Sequence, residues 1–430
     1  MSNSPREFLN TLFRTAIAAA HPAHCLTTHL PAPPKRGRLI ILAAGKAAGS
    51  MAEVAERFYL EAHGVPADRL VGLAVARHGY GRPTKVIRVI EAGHPVPDGA
   101  GLAATMQTLE LAAGATADDL VLVLVSGGAS ANWIAPISPL SLNEKQAVTR
   151  ALLRSGAAID EINTVRKHLS QIKGGRLARV AHPARVIALG ISDVPGDDPA
   201  VIGSGPTVPD PTTLADARAI LARYRLDVPE SVHGILADPA NESPKPGDEV
   251  FKHTEFHLVA RPADSFRAAE AAIKAAGYDY VFLGDQVEGE ARIVAAEQAK
   301  MARELAAAGR RAVIVSGGEL TVTIKGQGRG GPNQEYALAL AQALDGASGI
   351  AALAGDTDGT DGGGGAASDP AGAYVDSATA GRARALGLDP AAFLADNNST
   401  AFFNALGDLV TPGPTFTNVN DFRAIVVDTQ

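Results

Sequence analysis

The chain has 430 residues, of which 46% are hydrophobic and 20% charged, and a formal net charge of −7. That length asks for two or three domains with ample core, and the acidic balance argues against general nucleic-acid or acidic-membrane binding. A single cysteine, Cys25, excludes an intrachain disulfide framework and fits a reducing, cytoplasmic setting.

The first stretch, SPREFLNTLFRTAIAAAHPAH, places Phe8, Leu9, Leu12, Phe13 and Ile17 on one helical face, while Asn10 and Arg14 interrupt any signal-peptide core. It reads as an amphipathic helix. His21, His24, Cys25 and His29 follow in a metal-like spacing, but beside a proline-rich loop, where a structural role is the better reading. RLIILAAGKAAGSMAEVAERFY then runs from a buried strand into a helix with Lys46 at the turn. A Walker loop would need glycine where Ile40 stands, so this is no P-loop. Lysine at a helix start opposes the helix dipole, a local cost that a bound anion would offset. His94, in EAGHPVPDGAG, reads as a turn residue with a structural role.

LVLVLVSGGASA is a continuous apolar strand, as burial on both faces of a parallel sheet requires, ending in Ser126-Gly127-Gly128 and followed by Ser130. Such a turn can aim backbone amides at phosphate or carboxylate oxygens. DEINTVRKHLSQIKGGRLARV predicts a helix whose Arg166, Lys167 and Lys173 form a solvated basic face. RVIALG is another buried strand. Asp193 sits at its tip and opens a long Gly/Pro loop with Asp197, Asp198, Ser204 and Thr207. An aspartate at a parallel strand's C-terminal tip suits a general base or a metal ligand.

The proline- and charge-rich segment after residue 237 reads as a linker, giving domains of 1–237 and 250–430 with 238–249 between them. The second domain repeats the earlier pattern in AVIVSGGEL, where Ser316-Gly317-Gly318 precede Glu319. LTVTIKG alternates strictly and predicts a half-exposed antiparallel strand, hence a mixed sheet. Gly326, Gly328 and Gly331 spell a literal G-x-G-x-x-G before a helix opened by Pro332, the strongest case for an NAD(P)H-dependent reductase. Arg329 within that loop suits a mobile phosphate better. LAGDTDGTDGGGG brings Asp356, Asp358 and Asp361 together before a glycine run, too irregular for an EF-hand but compatible with magnesium held partly by substrate phosphates.

Strand–helix alternation implies an α/β fold: an N-terminal Rossmann-like parallel sheet flanked by helices, and a C-terminal α/β domain with a mixed sheet. Taken together, AAGKAAGSM, EAGHPVPD, LVSGGASA, INTVRKHLSQIKGGRLA, ISDVPGDDPAVIGSGPTVPDPTT, VSGGELTVTIKGQGRGGPNQEYALALA and AGDTDGTDGGGGAASD resemble the glycerate 2-kinase family, whose C-terminal part is called MOFRL. The resemblance implies ATP and Mg²⁺ as cofactors, D-glycerate as substrate, 2-phosphoglycerate as product, and an active site in an interdomain cleft. It also implies Lys46 and Arg329 as active-site residues. The expected set around them is Asp193 as orienting group or base, and Asp356, Asp358 and Asp361 for the metal. Ser126, Gly127, Gly128, Ser130, Ser316, Gly317, Gly318, Glu319, Gly328, Gly330 and Asn333 are expected to bind nucleotide or substrate. Hydroxypyruvate reductase, a name some members carry, is the alternative. A homo-oligomer is left open.

Overall fold

The computed structural model describes residues 4–362 and 366–429. It divides into two compact units, one of residues 25–259 and one of residues 1–24 with 260–430.

The first unit is built on six strands, β1 (Leu39–Gly45), β2 (Leu70–Arg77), β3 (Arg88–Ala92), β4 (Leu120–Val125), β5 (Arg185–Ile191) and β6 (Thr254–Ala260). Their order is β3-β2-β1-β4-β5-β6, the doubly wound arrangement in which the chain reverses direction across the sheet between β1 and β4. Leu39 faces both Leu70 and Leu120 in parallel register, so these strands end level with one another. Every residue of β1 and β4 is buried, which explains their unbroken apolar sequences. A second apolar cluster, including Val148, Ile162, Val165, Leu214 and Leu236, forms a helical layer of this unit.

The expected linker is part of this unit. Glu242 accepts hydrogen bonds from the amides of Leu214 and Ser243 and lies 3.0 Å from His168 Nε2. Arg176 and Arg179 donate to the carbonyls of Asn241 and Glu242. β6 then completes the first sheet, which moves the division to residue 259. Proline and charge make this segment irregular, but its polar groups are tied down rather than solvated.

The second unit holds β7 (Asp279–Phe282), β8 (Gly289–Glu290), β9 (Ala312–Ser316), β10 (Leu320–Thr321), β11 (Ile350–Asp356), β12 (Gly372–Val375), β13 (Leu409–Val410) and β14 (Asp421–Val427). Six of them form a mixed sheet in the order β13-β12-β11-β14-β9-β7, with only β7 and β9 pairing in parallel. Along β14 the two-residue period is explicit: Phe422, Ala424 and Val426 enter one core, Ile425 and Val427 the other. The mixed sheet is therefore real, but LTVTIKG does not supply it. Only Leu320 and Thr321 are strand, and they pair in parallel with β8 outside the main sheet.

The amphipathic helix Pro5–Ala20 also belongs to this second unit and not to the first. Leu9, Leu12, Phe13 and Ala16 pack with Phe266, Ile273 and the β9–β14 face. Arg6 pairs with Asp408 at 2.7 Å, and Ser265 Oγ donates to the Ala16 carbonyl. The apolar stripe was legible, but its partner lies more than 240 residues away.

Candidate functional site

In the first unit several predicted residues converge where β1 and β4 end, the place at which doubly wound sheets leave a ligand crevice. Gly45 closes β1, and the Lys46 amide donates to the Gly127 carbonyl at 2.8 Å, so the two strand-end turns are stitched together. Gly128 has φ = 85°, and a β-carbon there would lie 3.0 Å from His94 Cδ2 and 3.2 Å from Lys46 Cγ. Glycine thus lets the His94 ring and the Lys46 stem share this turn. Among the described residues no protein acceptor takes the amides of Gly127 and Gly128. Ser130 Oγ sits 2.6 Å from Ser204 Oγ, in a loop where Gly203, Ser204 and Gly205 all adopt positive φ. Asp193 stands half-buried just past the end of β5. A cation, an imidazole, two amides, a hydroxyl pair and a carboxylate along one sheet edge can bind a small anion and move a proton beside it.

Two expectations change here. Ser126 is fully buried, and its hydroxyl oxygen accepts the Ala47 amide at 3.0 Å, supporting the start of the helix Ala48–Arg57 rather than facing a ligand. His94, read as a turn residue, stands against Lys46 and Gly128. The available signal was its position just after β3, a strand running parallel to β1's neighbour and ending at the same edge.

The second Ser-Gly-Gly turn is occupied by protein. Ser316 is buried and receives Arg423 Nε at 3.2 Å. Arg423 also donates to the Gly317 carbonyl and to Asp421. A β-carbon on Gly317 would meet the Phe266 ring, and one on Gly318 would meet the backbone of Val287. Only Glu319 is exposed. The two turns share letters and differ in use.

The glycine loop 326–331 is shaped by close approach to the segment 396–399. The amides of Lys325 and Gly326 donate to Asn397 Oδ1, and that of Gly328 to the Asp396 carbonyl. β-carbons at Gly328 and Gly330 would overlap Asn398 and Ser399. Gly331 then caps the helix Pro332–Leu344 without offering a side chain. The N-terminus of that helix is already filled: Asp361 accepts the amides of Asn333 (3.0 Å) and Gln334 (2.9 Å), together with both of their side-chain amides. A dinucleotide loop would put pyrophosphate there, so the G-x-G-x-x-G spelling does not make such a site. Asn333, also bonded to Asp421 at 2.6 Å, is buried within this network.

Asp361 is thereby separated from the expected metal trio. It is buried, and burial pushes its carboxyl up to about 7 against the Asn333 and Gln334 donors. Asp358, also buried, accepts the amide and hydroxyl of Thr360, and Asp356 accepts the Asp358 amide. Among the described residues no three His, Cys, Asp or Glu side chains are grouped to hold a metal. Gly363, Gly364 and Gly365 lie outside the described residues. Arg329 extends into solvent, 69% exposed, with one ion pair to the largely buried Asp369 at 3.4 Å. Finally, Lys167 and Lys173 are buried, and Arg166 is half-buried, so that helix does not present the expected solvated basic face.

A doubly wound unit with an anion-receptive turn at its reversal point, and a second unit whose dinucleotide-like loop is sealed by its own aspartate, suit an enzyme of small anionic substrates. Residues 8–237 match the family described as a domain of unknown function, DUF4147, and residues 312–421 match the MOFRL family. D-glycerate 2-kinase of Thermotoga maritima is 39% identical over 415 residues, covering 95% of each chain. The crystal structure of glycerate kinase from the same organism superposes with a TM-score of 0.85 at 37% identity, covering 98% of this chain and 99% of that one. An Agrobacterium vitis protein provisionally named hydroxypyruvate reductase is 47% identical, covering 99% of this chain and 95% of its own. The chain belongs to the glycerate 2-kinase family, with a C-terminal MOFRL domain. No helix among the described residues is long and apolar enough to cross a membrane.

Proposed function

We propose that this chain transfers the γ-phosphoryl group of ATP to the 2-hydroxyl of D-glycerate, giving 2-phosphoglycerate and ADP. The observation that carries the choice over a reductase is Asp361 on the helix behind the G-x-G-x-x-G loop, where a dinucleotide's pyrophosphate would have to sit. Phosphoryl transfer depends on positioning and charge neutralisation, and the residues at the end of β1 and β4 suit both.

In this reading Lys46 binds anionic oxygens of the substrate or the transferring phosphate, with the Gly127 and Gly128 amides beside it. Asp193 orients the 2-hydroxyl and takes its proton as the new P–O bond forms. His94 acts beside Lys46 in orienting the same anion. Arg329, the other active-site residue that the family resemblance implies, offers an exposed guanidinium to phosphate charge. Magnesium needs only one or two carboxylates when phosphates supply the other ligands. Asp356 and Asp358 fit that requirement as a pair, and Asp361 does not. An ion held there with nucleotide would supply charge neutralisation. The cytoplasm, with ATP and glycerate available, is the setting this assigns.

Two assays on one sample test it. ADP release from Mg²⁺-ATP with D-glycerate, with the product identified by ³¹P NMR as 2-phosphoglycerate, is the expected result. Consumption of NADH or NADPH with hydroxypyruvate and no ADP release would overturn it.

A further inference from the structure

Lys145, Arg166 and Lys173 form a cationic cluster inside the first unit that none of the functional assignments uses. Lys145 donates to the carbonyls of Leu169 (2.6 Å) and Arg166 (3.4 Å), and Lys173 to those of Ser130 (2.8 Å) and Trp133 (3.1 Å). Arg166 has a hydrogen bond to Asn163 Oδ1 at 3.2 Å. None of the three is paired with a carboxylate among the described residues. Burial first, and then their mutual repulsion, pushes both lysines well below the usual range, and burial lowers Arg166 too. Gathering like charges away from water is costly unless an anion compensates them.

A second observation shows where such an anion could enter. A cavity of about 250 Å³ opens at two members of this cluster, Lys145 and Arg166, and is lined by Arg150 as well. Its other walls include Val96, Leu153 and Ile159, aliphatic side chains that are 65%, 60% and 64% exposed. Gln146 Nε2 donates to the Pro97 carbonyl at 2.7 Å and ties the wall that carries Val96 to the helix that carries Lys145 and Arg150. Arg150 is exposed and has no carboxylate partner among the described residues. Guanidinium groups beside an exposed aliphatic wall match one chemistry: an anionic head group on a short apolar tail.

We propose that this cavity is a second small-molecule site, separate from the Lys46 turn, for an organic acid or phosphate monoester with an aliphatic tail. The head group sits on Arg166 and Arg150, and the tail lies along Val96, Leu153 and Ile159. The wall residues Pro95–Pro97 follow His94 directly, so this wall of the cavity continues to the ring that stands against Lys46 and Gly128. Occupancy is therefore positioned to alter turnover.

The test is calorimetric titration of the full chain, saturated with D-glycerate and Mg²⁺-ADP, with four probes: hexanoate, hexyl phosphate, hexanol and inorganic phosphate. Saturable one-to-one binding of hexanoate or hexyl phosphate, at least tenfold tighter than hexanol and inorganic phosphate, is expected. The tighter of the two identifies the head group. Leu153→Glu, at an exposed position, places a carboxylate beside the cations. It should weaken binding at least tenfold while leaving probe-free turnover unchanged. Arg166→Gln should weaken binding similarly, with Arg166→Lys retaining part of it. Hexanol binding as tightly as the anions, or unaltered binding to Leu153→Glu, would overturn the proposal. The same titration without D-glycerate and Mg²⁺-ADP, with the melting temperature of Leu153→Glu in place of its turnover, keeps the readout independent of the kinase reaction.

Discussion

Replacing Asp361 with alanine separates two accounts of the glycine loop. In the structure this carboxylate receives two backbone amides and two side-chain amides at the start of the helix Pro332–Leu344. Gly331 offers no cap of its own, and Pro332 has no amide to donate. Alanine leaves the Asn333 and Gln334 amides buried without an acceptor, at roughly 1–3 kcal/mol each. Relief from burying a carboxyl pushed up to about 7 offsets part of this. A net loss of about 3 kcal/mol is expected, or roughly 6–12 °C in the melting temperature of a unit this size. Differential scanning calorimetry measures it. NADH titration of the same variant should give no binding, because the loop was never shaped for a dinucleotide. An unchanged melting temperature would refute the capping argument, and NADH binding gained on opening the helix end would revive the reductase.

Other expectations follow from the same geometry. Lys46→Met should lower kcat/KM for the kinase reaction by about 10²–10³ with an unchanged melting temperature, since it removes charge stabilisation and no core contact. Arg329→Met should likewise lower turnover by orders of magnitude while leaving the fold intact, because the side chain is 69% exposed; near-normal steady-state rates would remove Arg329 from the mechanism. Asp361 also gives a pH signature. Its folded value, about 7, lies above the ordinary 3.8, so its favourable contribution is full below pH 3.8 and lost as pH rises through 7. Melting temperatures should fall more between pH 5 and 8 in the wild type than in Asp361→Asn. Glu242 has the opposite sign. Burial would raise it, but hydrogen bonds from Lys245, the Leu214 and Ser243 amides and His168 bring it down to about 2. Its contribution is full above pH 4.5 and lost as pH falls through 2, so Glu242→Gln should flatten the acid limb of a melting curve series measured from pH 6 to 3.

The parallel sheet and its edge residues were legible because burial on both faces leaves a direct record in LIILAAG and LVLVLV, and strands that end level bring their following turns together. The strand-end positions of Lys46, Gly127, Gly128 and Asp193 follow from that alone. What failed was anything decided by a distant partner. The helix Pro5–Ala20 shows its apolar stripe without showing Phe266 and Phe422. The segment 238–249 has a linker's composition, yet Glu242 is bound from His168, Leu214 and Lys245. The basic residues 166–173 look solvated until the helices around them are placed.

Glycine motifs illustrate the distinction most sharply. At Gly128 the missing β-carbon makes room for His94 and Lys46, groups able to meet a ligand. At Gly328 and Gly330 it makes room for Asn398 and Ser399, parts of the protein itself. Both cases satisfy the same local rule, that backbone can approach closely where there is no side chain. The rule does not say what approaches. In the loop 326–331 the answer is supplied by Asp361, some 30 residues later, which takes the helix end that a nucleotide phosphate would need. A glycine fingerprint therefore acquires functional meaning only when the donors it exposes remain uncommitted, as the Gly127 and Gly128 amides do among the described residues.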